Sequence, residues 1–242
     1  MKLIVVRHGE PDYEHDSLTE KGDREASLLA DMLGRMDIKA FYCSPLGRAR
    51  RTASFTLEKT GREAEILDWL QEFRGRCIKP NIPDEPTIFW DWLPQDWTRQ
   101  KLFFDREKWT DAPELKGTNV KQEYDTVVSG IDSLLARHGY ERCGEYYRAV
   151  KPNNDTIVLF CHLGVQAVFV SHLLGIAPLV MLQGFAPAPS SVTTIATEER
   201  VEGTAAFRVL SYGSIDHLYA GGEAPSFAAR FCECYSNTDE RH

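Results

Sequence analysis

Short, strongly apolar segments that end abruptly at a polar residue constrain the fold of this chain most. The segment KLIVV at residues 2–6 is rich in β-branched residues and stops at Arg7. Such a run is typical of a strand that is buried on both faces, as in a parallel sheet. Comparable runs predict five further strands, at 40–43, 64–67, 156–160, 191–197 and 205–210.

Segments with helical spacing of apolar residues alternate with these strands. Between 18 and 36 the apolar residues at 26, 29, 30 and 33 share one helix face, and Thr19 is available to cap its start. Similar patterns predict three more helices, which run from after Ser44-Pro45 to Gly61, from Val120 to Arg137 and from about Gly164 to Leu174. The alternation predicts an α/β fold, a three-layer sandwich with a mainly parallel central sheet and helices on both faces.

The regular pattern breaks between residues 73 and about 118. This segment contains five of the twelve prolines and four of the five tryptophans, and no helix or strand period persists in it. We therefore expect a single domain over 1–242 with a Trp-rich insertion at about 73–118. The insertion could serve as a lid or a substrate-selecting wall, and a satellite core or a dimer surface is the alternative. The tail at 231–242 is expected to be a mobile end.

The overall charge and the cysteine content exclude several classes of protein. The net charge of -8 argues against non-specific nucleic-acid binding, and no polybasic run is available for an anionic membrane. The six cysteines lack a paired zinc-ligand spacing and the density of a disulfide framework. No stretch approaches a secretory signal or a membrane span, so we expect a cytoplasmic protein.

The tripeptide Arg-His-Gly occurs twice, at 7–9 and at 137–139. The second copy closes the long predicted helix, where basic residues suit the helix dipole and Gly139 suits a left-handed cap. The first copy follows a buried strand directly, and ligands of open parallel sheets bind at the carboxyl ends of the strands. The first copy is therefore the candidate for chemistry.

Other predicted strands also end in polar groups that phosphate chemistry could use. Arg48, Arg50 and Arg51 follow the second strand, Glu72 follows the third, and His162 follows the strand at 156–160. A histidine after a buried strand can equally be a hydrogen-bonded core residue, and a carboxylate can be a solvated surface group. The coincidence of several such groups at strand ends favours a site.

Several ordered motifs carry a family resemblance. The segments LIVVRHGEP, LTEKG, SPLGRARRTA, LQEF, CHLG and DHL cover roughly residues 1–72 and 155–220. Together they resemble the histidine phosphatase superfamily, in its phosphoglycerate-mutase-like branch. The resemblance implies a metal-independent phosphomonoesterase that uses no cofactor and acts on a small phosphate monoester through a phosphohistidine.

The resemblance also implies a role for each candidate residue. His8 would be the nucleophile, and Arg7, Arg48 and His162 would bind the phosphate oxygens. Glu72 would be the general acid. Because the sequence after Glu72 departs from the family pattern, Asp68 and Asp91 are alternatives for that role.

Alternative functions follow from the same residues. A phosphoglycerate-mutase-type phosphotransferase is one, although the short loop after Gly9, without an asparagine, favours a hydrolase. A non-catalytic phosphate-binding module and a metallohydrolase that uses His8 and His162 are others. A homodimer is possible, and the sequence does not specify the substrate.

Overall fold

The computed structural model describes residues 1–227 and 234–237, so most of the tail that was expected to be mobile lies outside the described residues. The strands are β1 (Lys2–Arg7), β2 (Pro11–Asp12), β3 (Ser17–Leu18), β4 (Ala40–Cys43), β5 (Ala64–Ile66), β6 (Arg76–Lys79), β7 (Ile82–Ile88), β8 (Tyr140–Cys143), β9 (Tyr146–Ala149), β10 (Thr156–Cys161), β11 (Val192–Val201) and β12 (Thr204–Ser214). The α-helices are α1 (Glu20–Leu33), α2 (Gly47–Thr60), α3 (Pro94–Trp97), α4 (Val120–Arg137), α5 (Leu163–Leu174), α6 (Pro178–Gly184) and α7 (Asp216–Gly221). The strands and helices predicted from the sequence are confirmed, with bounds that shift by a few residues.

The predicted helix ends have the expected chemistry. Thr19 Oγ1 accepts the Gly22 N–H at 3.1 Å and so caps α1. Gly61 ends α2 with φ +64°, a left-handed conformation that glycine adopts without steric cost. None of the helices in the described part of the chain combines the length and the apolar character needed to cross a membrane.

Eight strands form one mixed sheet in the order β5-β4-β10-β1-β11-β12-β9-β8. Neighbours are parallel from β5 to β1 and antiparallel from β1 to β8. Alternation of direction makes β12 and β8 run with the four parallel strands, and only β11 and β9 run against them. Six of the eight strands thus run in one direction, which confirms the expected mainly parallel sheet. The carboxyl ends of β1, β4, β5 and β10 lie together at one end of the sheet.

The two faces of the sheet pack against different helices. Ile4 and Val6 lie in one buried cluster with residues of α1 and α2, such as Leu33. Leu3 and Val5 lie in the other cluster, which contains residues of α4 and α5. Successive residues of β1 therefore face opposite layers, which explains why the sequence of this strand is apolar throughout. The three-layer arrangement is confirmed.

The Trp-rich insertion is more regular than its sequence indicates. β6 and β7 pair as an antiparallel hairpin that the sequence analysis does not predict. β6 has only four residues and β7 contains Pro83 and Pro86, so neither strand gives a readable period. Short 3₁₀ turns follow at Lys101–Phe104, Trp109–Asp111 and Pro113–Leu115.

Most tryptophans of the insertion are packing residues. Trp90, Trp92 and Trp109 are 9%, 5% and 2% exposed, and they lie in the larger core cluster together with Phe89 and Phe103. The Phe89 and Trp109 rings are 5.4 Å apart. This burial favours the interpretation as an extension of the core, and the division into one domain with an insertion stays a prediction.

Candidate active site

The backbone at the end of β1 is held from both sides. The Arg7 N–H donates to the Ser191 carbonyl at 3.1 Å, and the His8 N–H donates to the Cys161 carbonyl at 3.0 Å. The Ser190 N–H donates in turn to the His8 carbonyl at 2.9 Å. The sheet on one side and the loop before β11 on the other thus fix where the His8 side chain begins.

The His8 ring has a defined tautomer. His8 Nδ1 lies 2.8 Å from the Gly9 carbonyl oxygen, which can only accept, so Nδ1 carries the hydrogen. Nε2 is then left with a lone pair. Burial and the neighbouring Arg7 charge lower the His8 pKa to about 3, so the ring is neutral near pH 7. A neutral, oriented imidazole with a free lone pair is a nucleophile.

A second buried histidine stands beside the first. The ring centroids of His8 and His162 are 5.1 Å apart, and His162 Nε2 lies 2.8 Å from Ser44 Oγ. Burial lowers the His162 pKa well below its ordinary value. His162 Nδ1 is buried and has no hydrogen-bond partner among the described residues, so it is available to a ligand.

Two arginines bring positive charge to this pair of histidines. Arg7 is 3% exposed, and its Nη1 donates to the Pro187 carbonyl at 2.5 Å. Arg48, in the first turn of α2, donates from Nη1 to Asp16 Oδ1 at 2.6 Å. Nε of each arginine is buried with no hydrogen-bond partner in the part of the chain that the structure describes. Both charges act on His8 and His162, lowering their pKa values.

The loop before α1 packs closely on the start of α2. Asp16 Oδ2 accepts the Gly47 N–H at 2.6 Å, and Asp16 itself has φ +45°. A Cβ atom on Gly47 would lie 2.0 Å from the Asp16 carbonyl oxygen, so only glycine fits there. The position of Arg48 therefore depends on this loop as well as on its own helix.

Glu72 lies across the site, held by backbone groups. Its Oε1 accepts the N–H groups of Phe73 at 2.8 Å, Gly164 at 2.8 Å and Val165 at 3.2 Å. Burial raises the Glu72 pKa, and these N–H groups together with the Arg7 charge act in the opposite direction. Three donors on one oxygen fix the orientation of the carboxyl group.

The structure separates the predicted candidates into two sets. Arg7, His8, Arg48, Glu72 and His162 lie together, as a site at the strand ends requires. The remaining candidates are exposed: Asp68, Asp91, Arg50 and Arg51. Arg51 is ion-paired with Asp23 at 2.7 Å on the outer surface of α2.

Three residues that shape the site were missed by sequence reasoning. Ser44 directly follows β4, so its place at a strand end was an available signal. Asp16 gave none, because its pairing with Arg48 depends on the loop conformation. Gly164 matters because a Cβ there would lie 2.7 Å from Glu72 Oε1 and 3.0 Å from the Trp90 ring.

No cluster of three or more His, Cys, Asp or Glu side chains suited to a metal ion occurs within residues 1–227 and 234–237. The positive charge at the site comes from the guanidinium groups of Arg7 and Arg48. The fold and these side chains define an α/β protein with a cationic histidine site at the carboxyl ends of parallel strands.

The chain belongs to the histidine phosphatase superfamily (branch 1), whose family model matches residues 3–207. It is 25% identical over 185 residues to a probable phosphatase of Schizosaccharomyces pombe, covering 72% of this chain and 74% of that protein. It is 26% identical over 213 residues to phosphoserine phosphatase 1 of Hydrogenobacter thermophilus, covering 83% of this chain and 88% of that protein.

Solved structures show the same fold. The mycobacterial glucosyl-3-phosphoglycerate phosphatase superposes with a TM-score of 0.58 at 19% identity, covering 88% of this chain and 98% of that chain. The family and the fold expected from the sequence are therefore confirmed, and so is the expected class of enzyme, a phosphatase.

Proposed function

We propose that this chain is a phosphoric monoester hydrolase that needs no metal ion or cofactor and works through a phosphohistidine on a small phosphorylated substrate. The proposal rests on the cationic and hydrogen-bonding groups that lie around the His8 ring. Two guanidinium groups and His162 present buried nitrogens that lack partners among the described residues, beside a neutral imidazole with a free lone pair. This arrangement suits the three non-bridging oxygens of a phosphate ester.

In the first step His8 Nε2 attacks phosphorus. The N–P bond forms while the bond between phosphorus and the ester oxygen breaks, and Glu72 gives its proton to the departing alkoxide. His8 Nδ1 keeps its hydrogen and donates it to the Gly9 carbonyl oxygen, which stabilises the ring as it becomes cationic. Arg7 and Arg48 balance the charge that builds on the phosphoryl oxygens.

In the second step the Glu72 carboxylate takes a proton from water, whose oxygen attacks phosphorus from the side opposite His8. The N–P bond breaks, phosphate leaves, and both His8 and Glu72 return to their starting protonation states. The raised pKa of Glu72 suits the first step because it keeps the acid form available closer to neutral pH, and it makes the carboxylate of the second step a stronger base. Oε1 is occupied by three N–H groups, which leaves Oε2 to carry the proton.

The proposal is tested by release of inorganic phosphate from a broad panel of phosphate monoesters with a chelator present. We expect turnover that is insensitive to the chelator. Turnover that the chelator abolishes would favour a metallohydrolase instead. Binding of phosphate esters with no turnover would favour a non-catalytic module, and isomerisation of phosphoglycerate without net release would indicate a mutase.

We further propose a cytoplasmic location and a small-molecule substrate. Cys43, Cys77 and Cys161 are free and buried, as expected where thiols stay reduced. A homodimer remains a prediction, to be tested by the mass of the protein in solution.

A further inference from the structure

The approach to Arg48 is covered by a loop of unusual composition. Residues 12–16 read Asp-Tyr-Glu-His-Asp, and Asp16 anchors the loop on Arg48 and on the Gly47 N–H. The loop is braced internally, because Asp12 accepts the N–H groups of Glu14 at 3.1 Å and His15 at 3.3 Å. The loop is thus a defined part of the wall around the phosphate-binding groups.

Tyr13 presents an aromatic ring at this wall. The Arg48 guanidinium carbon lies 5.6 Å from the Tyr13 ring centroid, while the side chain is 64% exposed. An exposed tyrosine over a half-buried cation gains from cation–π attraction and leaves most of its surface free for a ligand.

A second aromatic pair flanks Arg7. The rings of Phe185 and Tyr212 are 5.1 Å apart, and Phe185 is 41% exposed. Phe185 precedes by two residues Pro187, whose carbonyl accepts from Arg7 Nη1, and Gly213, next to Tyr212, lies against Pro187, since a Cβ there would be 3.2 Å from Pro187 Cβ. Burial raises the pKa of Tyr212 to about 12, so this residue stays neutral. Aromatic rings therefore stand beside both arginines.

A single phosphoryl group would engage both cationic side chains of the site. Arg7 and Arg48 are the cationic groups that lower the His162 pKa together with His8, and both would be engaged by the phosphoryl oxygens. The neighbouring loop adds three carboxylates, of which Asp16 pairs with Arg48 and Asp12 lies 2.8 Å from His15 Nδ1, whereas Glu14 is exposed. A second anionic group on the substrate, next to the ester oxygen, would face the exposed Glu14 carboxylate while the phosphoryl group engages Arg7 and Arg48.

We infer that the substrates are phosphate monoesters whose leaving group is uncharged and apolar or aromatic, and that the wall formed by Tyr13 and the acidic loop disfavours phosphorylated carboxylic acids. The inference rests on the proposed phosphatase activity and adds the class of leaving group. It separates this chain from its relative phosphoserine phosphatase 1, whose named substrate carries a carboxylate.

The test compares esters whose leaving alcohols have similar basicity: 2-phenylethyl phosphate, n-propyl phosphate and 3-(phosphonooxy)propionate. We expect kcat/KM to fall in that order, with the carboxylate-bearing ester at least about tenfold below 2-phenylethyl phosphate, as aromatic contact and charge repulsion together predict. Equal or faster turnover of the carboxylate-bearing ester would overturn the inference. Absence of turnover on all three, and on the activated ester p-nitrophenyl phosphate, would instead overturn the phosphatase proposal.

Variants of the wall separate the two contributions. Glu14→Lys should raise kcat/KM for 3-(phosphonooxy)propionate about fivefold relative to kcat/KM for n-propyl phosphate, as expected for one exposed charge. Glu202→Lys is the matched control, because Glu202 lies in the turn between β11 and β12, at the far end of the strands from Ser191. An equal gain in both variants would point to overall charge and contradict the inference.

The aromatic contribution is tested at Tyr13. Tyr13→Ala should lower kcat/KM for 2-phenylethyl phosphate about tenfold with little effect on n-propyl phosphate, and Tyr13→Phe should retain the preference. Tyr146→Ala is the control, since Tyr146 is an exposed tyrosine of β9, near the edge of the antiparallel half of the sheet. A uniform loss on all esters with Tyr13→Ala would assign Tyr13 to loop folding and contradict its role in selection.

Discussion

The two copies of Arg-His-Gly, at 7–9 and 137–139, differ in the burial and in the hydrogen-bond partners of their side chains. In the first copy His8 is 2% exposed, its Nε2 lone pair is free, and Arg7 is buried against the Pro187 carbonyl. In the second copy Arg137 is exposed and forms a two-pronged ion pair with Glu65, at 2.8 and 2.5 Å.

The histidines differ in the same way. His138 Nε2 is engaged by Tyr42 Oη at 2.8 Å, and its ring stacks edge-on against the Tyr42 ring with centroids 5.9 Å apart. Nε2 of His8 and Nε2 of His138 therefore differ in their hydrogen-bond partners, although the two histidines have the same neighbours in the sequence. A strand end supplies free donors and a free lone pair, whereas a helix end uses the same side chains to complete packing.

The largest expected effect tests the comparison at the two histidines. His8→Ala should lower kcat by at least about 10⁴-fold, because removal of a nucleophile abolishes the covalent route. His138→Ala should leave kcat unchanged and lower the free energy of unfolding by about 1 kcal/mol, the value of one hydrogen bond. Phosphate release and urea unfolding measure both. Comparable loss of kcat in the two variants would break the comparison.

The carboxylates beside the two copies provide the next test. Glu72→Gln keeps the acceptor for three backbone N–H groups and removes the proton, so kcat should fall about 10³-fold for esters with poor leaving groups. The loss should be smaller for p-nitrophenyl phosphate, whose leaving group needs little protonation. Glu65→Gln, at the second copy, should leave kcat unchanged. If Glu72→Gln keeps full activity on alkyl esters, Glu72 is not the acid.

A substitution at Gly164, which lies against Glu72, tests the placement of the Glu72 carboxyl group and should have a smaller effect. A methyl group there would displace Glu72 Oε1 and the Trp90 ring, so Gly164→Ala should lower kcat about 10²-fold through misplacement of the acid. Gly184→Ala is the control, since nothing lies within 4 Å of a Cβ at that helical position. Far-UV circular dichroism should show both variants folded. Wild-type activity in Gly164→Ala would contradict the placement of Glu72.

The smallest expected effect concerns stability beside the first copy. Glu25 is completely buried, its Oε2 accepts the Glu10 N–H at 2.8 Å, and burial raises its pKa to about 7 from 4.5. Because the pKa is raised on folding, the stabilisation is complete below pH 4.5 and is lost as pH rises through about 7.

Glu25→Gln imitates the protonated form at every pH. The variant should match the wild type near pH 4 and exceed its free energy of unfolding by about 2 kcal/mol at pH 8. Urea unfolding at the two pH values measures this. The contribution of Glu65 to stability changes with pH in the opposite direction. Arg137 lowers the Glu65 pKa, so the stabilisation from this ion pair is lost as pH falls. A pH-independent effect of Glu25→Gln would contradict the assignment.

Much of the parallel half of the fold could be predicted from the sequence. β1, β4, β5 and β10 are short apolar runs with clear ends, and the polar residues that follow them include the five that the fold brings together. The antiparallel pairing of β11, β12, β9 and β8 could not be predicted, since register depends on contacts between distant segments. The hairpin of β6 and β7 could not be predicted either, because β6 has only four residues and two prolines interrupt the pattern of β7.

The finer geometry of the site was also beyond the sequence. The pairing of Asp16 with Arg48 requires a loop residue at φ +45°, a conformation that its sequence does not specify. The three N–H groups on Glu72 Oε1 come from two segments separated by about ninety residues, which only the folded chain brings together. Sequence reasoning therefore selected side chains that the fold brings together and missed those that position them.

The most direct test of the account is to trap the covalent intermediate. Wild-type protein is mixed with a ³²P-labelled ester, quenched at alkaline pH within the first turnover, digested and mapped by mass spectrometry. We predict label on the peptide that contains His8 and none on the peptide that contains His138. Turnover with no labelled protein at any time, or label on another residue, would contradict the central claim that the first copy of Arg-His-Gly performs the chemistry.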